Sequence, residues 1–472
     1  MTSLFAQEIF KDQATTQIFL EDLMYTVAAL AVILVVVGLT LVDMGLARQK
    51  NVLDTAVQKL GAALIAGLAT FIVGYAIWNW QFYQVGGLGL SDALGDWWIG
   101  GEGLTNYAQH LDPAGFFAAD VQQVFVVFFA TFSMATLALI HSSVIERIKP
   151  LPLFVMAAAI GLFFSPFAGY LAWGSASWLT NEGVHDLEGI FPLYIFGATW
   201  ALVLNLRLGP RLGSLKPHPS GAAPAPANLG LVVPGIILIL FALPFIALGS
   251  GYVIPELGFV GISMTTSGWG IVLNNTVIAM GSGCLVGVLL AYRLRQWVWV
   301  ALGPVAGVVM AGTFLDVSDP WVVMIVALFG PIVALIGARL ALRFGIDDPK
   351  VVPLGFTAVV GAILVGFIEW GTPTGGYFTG EGDYAFQHAE INALWQTVGV
   401  LAIMALSGVG ALVFSLIFEK AGGLRVSEAE ELGGFDESYW DTPNSSEEPF
   451  STGATATQEA PPTGGLSAPS TT

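Results

Sequence analysis

Residues Leu23–Leu41 read LMYTVAALAVILVVVGLTL, nineteen positions without a charge, and the next basic residues are Arg48, Lys50 and Lys59. About 20 apolar residues in a helix cross the hydrocarbon core of a bilayer. Basic residues gather in the cytosolic loops of membrane proteins, so this stretch reads as a span that ends on the cytosolic side. Working outward, the same alternation continues along the chain. Basic residues recur at every second loop: Arg147 and Lys149; Arg207, Arg211 and Lys216; Arg293 and Arg295; Arg339, Arg343 and Lys350; Lys420 and Arg425. Fifteen of the sixteen Lys and Arg fall on one side of this path, and only Lys11 lies on the other. The intervening loops carry Asp92, Asp96, Glu102, Asp112 and Asp120, then Glu182, Asp186 and Glu188, then Asp316 and Asp319, then Glu381 and Asp383. The pattern predicts an external N-terminus and a cytosolic C-terminus.

Composition agrees. The chain is 55% hydrophobic and 11% charged, where a soluble domain carries roughly 25% charged residues. Its net charge of −18 arises from external loops and the tail, and a membrane protein of this kind has no use for nucleic acid. The single cysteine, Cys284, excludes an internal disulfide framework and a cysteine metal cluster. No cleavable leader is expected, since the lead before Leu23 is acidic and the apolar run is span-length.

The reading is an all-α polytopic membrane protein of eleven transmembrane helices. They lie near Leu23–Leu41, Leu60–Trp80, Phe125–Val144, Leu151–Trp173, Ile190–Leu208, Leu229–Tyr252, Val272–Tyr292, Val298–Phe314, Trp321–Leu342, Val351–Trp370 and Ile391–Phe418. Lipid satisfies no exposed backbone group, which requires helices here. The 57 glycines, many inside spans, allow close helix approach. Gly258–Gly270 reads as an external loop or a re-entrant piece. The predicted organisation is an external segment 1–22, a span domain 23–420, a cytosolic region 421–443 and a disordered Ser/Thr/Pro/Gly tail 444–472. The fifth and tenth spans open alike. Each has an acid, a Pro-Leu pair and an aromatic eight residues past the acid, from Asp186 to Tyr194 and from Asp348 to Phe356. They enter from opposite faces, which predicts an inverted repeat of spans 1–5 and 6–10 plus a final long helix, with the substrate path between the halves.

Several stretches together resemble the ammonium transporter/Rhesus (Amt/Rh) family. They are Met44–Leu53 (MGLARQKNVL), Ser143–Lys149 (SVIERIK), Trp173-Gly174, Leu208–Arg211 (LGPR), Ile346–Pro349 (IDDP) and Gly423–Glu431 (GLRVSEAEE). The resemblance implies a homotrimer with a hydrophobic pore in each subunit. It implies Phe132, with Phe128, as a pore gate and Trp173 as a site that recruits the cation on an indole face, worth about 0.5–2 kcal/mol. Ser250 is implied as a hydrogen-bond acceptor for the cation, and Asp186 as an acid that shapes the recruitment site without touching the ion. The plain alternative for a Phe, Trp or Ser in a membrane helix is packing, interface belt or helix glue.

The family's paired pore histidines are missing. Tyr194 and Phe356 take their places, and Ile246 stands where a second gate Phe is usual. His110, His185, His218 and His388 fall in loops or at span edges, and His141 near the cytosolic end of the third span, so none of them compensates. Bare charge is costly in an apolar bore. Paired imidazoles pass a proton while ammonia moves beside them, but a tyrosine hydroxyl is a poor relay at neutral pH.

Three functions are weighed. The leading one is ammonium or ammonia transport across the cytoplasmic membrane without the histidine relay. The second is a channel for another small neutral molecule. The third is a non-conducting ammonium sensor or regulatory protein, suggested by Gly423–Glu431, which in the family couples the pore to a cytosolic PII-type signal protein. Neither catalytic group, cofactor nor metal cluster is expected. Asp43 and Glu369 read as carboxylates solvated at span ends, and a proton role for Asp43 is the lesser alternative.

Overall fold

A lipid-facing backbone must close its own hydrogen bonds, and each apolar run here does so as a helix. The computed structural model describes residues 14–105, 113–254, 257–377 and 386–440. Lys11, His110, Asp112, Glu381, Asp383 and the tail 444–472 lie outside the described residues. The helices are α1 (Ala14–Leu46), α2 (Gln49–Val85), α3 (Pro113–Val144), α4 (150–173), α5 (Ile190–Leu208) and α6 (Leu229–Ile246), followed by α7 (Trp269–Leu294), α8 (Val298–Ala311), α9 (Pro320–Arg343), α10 (Val351–Ile368) and α11 (Ala393–Lys420). Among the described residues, ten helices are long and apolar enough to span a membrane. The expected eighth span, α8, is a shorter apolar helix of 14 residues, about 21 Å long, packed against α7 and α9.

Two crossings relate the halves. Helices α1 and α6 pack along one another and meet at Gly38 and Gly235. A Cβ on either would lie 2.6 Å from the carbonyl oxygen of the other. That reciprocity is what the expected inverted repeat asks of this crossing. Helices α5 and α10 form the second crossing, with Gly355 against Ala198. Both begin on a buried aspartate. Asp186 accepts from the backbone N–H of Ile190 and Phe191, each at 3.0 Å. Asp348 accepts from those of Lys350, Val351 and Val352 at 2.8–3.0 Å. These free N–H groups at a helix start need an acceptor, which is why the acid recurs before each span.

The symmetry is incomplete. Helix α1 lies along α3, whereas α6 barely touches its counterpart α8, leaving space between them.

Beyond α6 the chain leaves the helix earlier than expected. Tyr252 belongs to strand β1 (Gly251–Ile254), which pairs antiparallel with β2 (Gly258–Gly261), so the ambiguous segment opens as a β-hairpin. Strands β3 (Pro373–Thr374) and β4 (Ala389–Glu390) form a second small ribbon. At the opposite face α12 (Glu428–Gly433) and α13 (Phe435–Trp440) dock on the ends of the spans.

Candidate functional site: an apolar bore between an aromatic cap and a buried ion cluster

Helix α4 ends at Trp173, whose indole is 3% exposed. The ring meets Phe132 of α3 edge-on, with centroids 5.3 Å apart, and Phe132 meets Phe128 in the same way at 5.1 Å. Phe128 in turn lies over Tyr25 of α1. Gly189, at φ 83°, passes beneath Phe132 and Trp173, where a Cβ would stand 3.0 Å from the Phe132 ring. Only glycine takes both that conformation and that space. Ser250 follows the turn Ala247–Gly249 at the end of α6 and is 1% exposed. Among the described residues, the Ser250 hydroxyl and the Trp173 N–H have no hydrogen-bond partner.

The expected acid, Asp186, is fully buried and uses its carboxylate to start α5. Burial pushes its pKa up to about 6 against the backbone N–H groups that lower it. Its neighbour Glu188 is buried with one oxygen unpartnered, and burial with the Asp186 charge raises its pKa well above the carboxylate range.

Inward of Phe132 runs a cavity of about 110 Å³, walled by Val35 of α1, Tyr194 of α5, Ile246 of α6, Val305 of α8 and Leu354 of α10. Ile190–Ile195 winds as a π-turn, with the Tyr194 N–H donating to the Gly189 carbonyl at 3.3 Å, and presents Tyr194. Such turns concentrate at functional sites. The structure does not place Phe356 with Tyr194. Its ring lies against Gly337 of α9 and it is 37% exposed, outside the cavity wall. The next residue, Thr357, is fully buried, its hydroxyl donating to the Pro353 carbonyl at 3.0 Å.

At its inner end the cavity reaches Ser142 and Lys350, and here the structure corrects two expectations. Asp43 is not solvated at a span end; it is fully buried. Lys59 is not in a loop but inside α2, also fully buried. Asp43 pairs with Lys59 at 2.5 Å and with Lys350 through its other oxygen. Lys59 also donates to Ser142 Oγ at 2.6 Å and the Ala138 carbonyl at 2.8 Å. His141 is buried beside these charges with Nδ1 unpartnered. The one hint in the sequence was cost, because a lysine and an aspartate within span-length apolar helices are expensive unless paired. Spacing does not reveal the partner, since Lys350 is 307 residues from Asp43.

Past Lys350 lies a polar vestibule lined by Arg147, Arg211, Asp347 and Asp348. Arg211 pairs with Asp347 at 2.8 Å and with Glu146. Burial raises the Asp347 carboxyl, but Arg211 and Arg147 outweigh it and hold the pKa down to about 2. At the opposite face His185 is fully buried, its Nε2 2.9 Å from Asp316 and Nδ1 3.2 Å from Thr374.

A bundle of membrane-spanning helices in two related halves, with one apolar bore between them, defines a polytopic membrane protein of the transporter class. The chain belongs to the Ammonium Transporter Family, whose model matches residues 23–444. Among its relatives, Ammonium transporter Amt2 of Methanocaldococcus jannaschii is 30% identical over 408 residues, covering 84% of this chain and 85% of the relative. A putative ammonium transporter of Methanothermobacter thermautotrophicus is 27% identical over 425 residues, covering 86% and 93%. Two solved structures share the fold. A protein described as Sensor Amt Protein has a TM-score of 0.69 at 21% identity, over 91% of this chain and 100% of that one. Candida albicans Mep2 has 0.67 at 20%, over 89% and 90%.

Proposed function

We propose that this chain carries ammonium across the cell membrane, taking it up at the outer aromatic cap and passing ammonia through the apolar bore. The carrying observation is the bore itself. It runs from Phe132 past Ile246 and Tyr194 to Lys350 with no imidazole on its wall, so it offers a neutral molecule a path and a bare cation none. Trp173 and Ser250 form the recruitment site, with an indole face for the cation and an unshared hydroxyl to accept from it. Asp186 positions the start of α5. Phe128 and Phe132 are the gate, and Ile246 and Tyr194 line the path. Phe356 serves packing against α9. The eleven-span count, the external N-terminus, the cytosolic C-terminus and a homotrimeric assembly complete the reading. Arg48 and Arg425 hold the C-terminal segment to the inner face, where a PII-type signal protein would find it.

The test is ammonium-driven alkalinisation of proteoliposomes containing the purified protein. Wild type is expected to exceed empty vesicles. Trp173→Leu and Ser250→Ala are expected to lower the initial rate by roughly tenfold and roughly threefold, on the order of one cation–π contact and one hydrogen bond. A wild-type rate equal to that of empty vesicles would overturn the reading.

A further inference from the structure

We infer that Lys350, held in place by Asp43 and Lys59, is the residue that restricts the inner end of the bore to neutral molecules carrying a lone pair. This rests on the transport reading above. Lys350 lines both the apolar cavity and the polar vestibule, and Leu46 and Ser142 are the only other residues of the two walls in common. A molecule leaving the cavity for the vestibule therefore passes its ammonium group.

The cluster carries an excess of positive charge. Two lysines face one carboxylate, and Asp43 is shared between them. The Lys59 ammonium donates to Ser142 Oγ and the Ala138 carbonyl and is ion-paired with Asp43, so three oxygens enclose it. Lys350 differs: among the described residues its ammonium has Asp43 as its one hydrogen-bond partner. It enters the pathway as a donor with protons unshared. Among the described residues no carboxylate other than Asp43 bonds it. In the vestibule Arg211 is taken by Asp347 and Glu146, and Arg147 by Asn205 and the Gly209 carbonyl. Asp348 is taken by Ser143 and the start of α10. His141 is the other titratable neighbour, and it adds no negative charge.

The chemistry separates the two forms of the cargo. Ammonium has four N–H donors and no lone pair, so at Lys350 it meets like charge and a second donor. Ammonia has a lone pair and accepts from the lysine N–H. The outer site is the reverse, with an acceptor hydroxyl at Ser250 and an indole face at Trp173. A cation is thus welcomed at one end of the bore and refused at the other, and the proton stays on the outer side.

The experiment applies an ammonium jump to proteoliposomes holding wild type, Lys350→Met, Lys350→Gln or Lys350→Arg. It records lumenal pH and, on supported membranes, displaced charge. Size-exclusion elution and thermal unfolding show which variants are folded, and Gln keeps a donor to Asp43 should Met perturb the cluster. Wild type and Lys350→Arg are expected to alkalinise the lumen with no displaced charge, and the neutral variants to raise charge moved per ammonia at least tenfold. Neutral variants that alkalinise without charge, or a wild type that itself moves charge, would overturn the filter and leave transport standing. Absence of alkalinisation in every protein would overturn the transport reading, and the filter with it.

Discussion

Single side chains decide what the bore can carry. Tyr194 and Phe356 look equivalent in the sequence, eight residues past matching aspartates, yet only Tyr194 reaches the cavity. Phe356 turns away to Gly337. The reason is local winding. Helix α5 starts as a π-turn around Pro192 while α10 is α-helical from Val351, so equal spacing gives unequal direction. Restoring both histidines therefore does not rebuild a pair. In a double-mutant cycle on transport rate, Phe356→His is expected to add nothing to Tyr194→His beyond about 0.5 kcal/mol, the size of an uncoupled pair. A clear non-additive gain in the double variant would place residue 356 in the bore.

The elements depend on how their ends are closed. At the end of the bundle that carries the β-ribbons, His185 ties the start of α5 to the turn after α8 and to β3 through Asp316 and Thr374. Burial disfavours charge on this imidazole, but Asp316, with help from Asp186 and Glu369, outweighs it and raises the pKa. A raised pKa means stabilisation that is complete below the ordinary histidine value, near 6.5, and lost as pH climbs through the higher folded value. Thermal unfolding in detergent should show the wild type losing its advantage over His185→Gln as pH rises above about 6.5. An advantage that grows with pH would contradict the assignment. The other end of the bundle has the opposite sign. Asp347, held low by Arg211, contributes stability above the ordinary carboxylate range, near 4, and loses it as pH falls towards about 2.

Across the whole molecule, the C-terminal segment fastens the ends of α1, α2 and α5 to the end of α11. Glu431 is fully buried and bonds Arg48 after α1 at 3.0 Å, Arg425 after α11 at 2.7 Å and the Leu212 N–H after α5 at 2.7 Å. Asp436 caps the first turn of α2 by accepting from Leu53 and Asp54. Removing one partner of a buried pair costs about 3–5 kcal/mol, because the other charge is left unmet. Glu431→Ala should release residues 426–440, read as faster hydrogen exchange there with the spans unchanged. Unaltered protection in that segment would show that the Asp436 bonds to Leu53 and Asp54 suffice to hold it.

The family was read from the resemblance of short motifs such as Leu208–Arg211 and Gly423–Glu431. Runs such as Leu23–Leu41 and the one-sided placement of Arg and Lys were enough to read membrane helices and their approximate limits. Those properties follow from transfer of each segment into lipid, which a segment settles alone. The contact of Phe132 with Trp173 joins two residues that each sit in a local motif. The inner cluster was not legible in this way. Asp43, Lys59 and Lys350 lie on three helices, and read singly each looks like an interfacial charge. Their burial is tolerable only because α1, α2 and α10 converge at one point and place two ammonium groups on one carboxylate. That pairing is a property of packing in three dimensions, as is the turn of Phe356 away from the bore, and neither is present in any one stretch of chain.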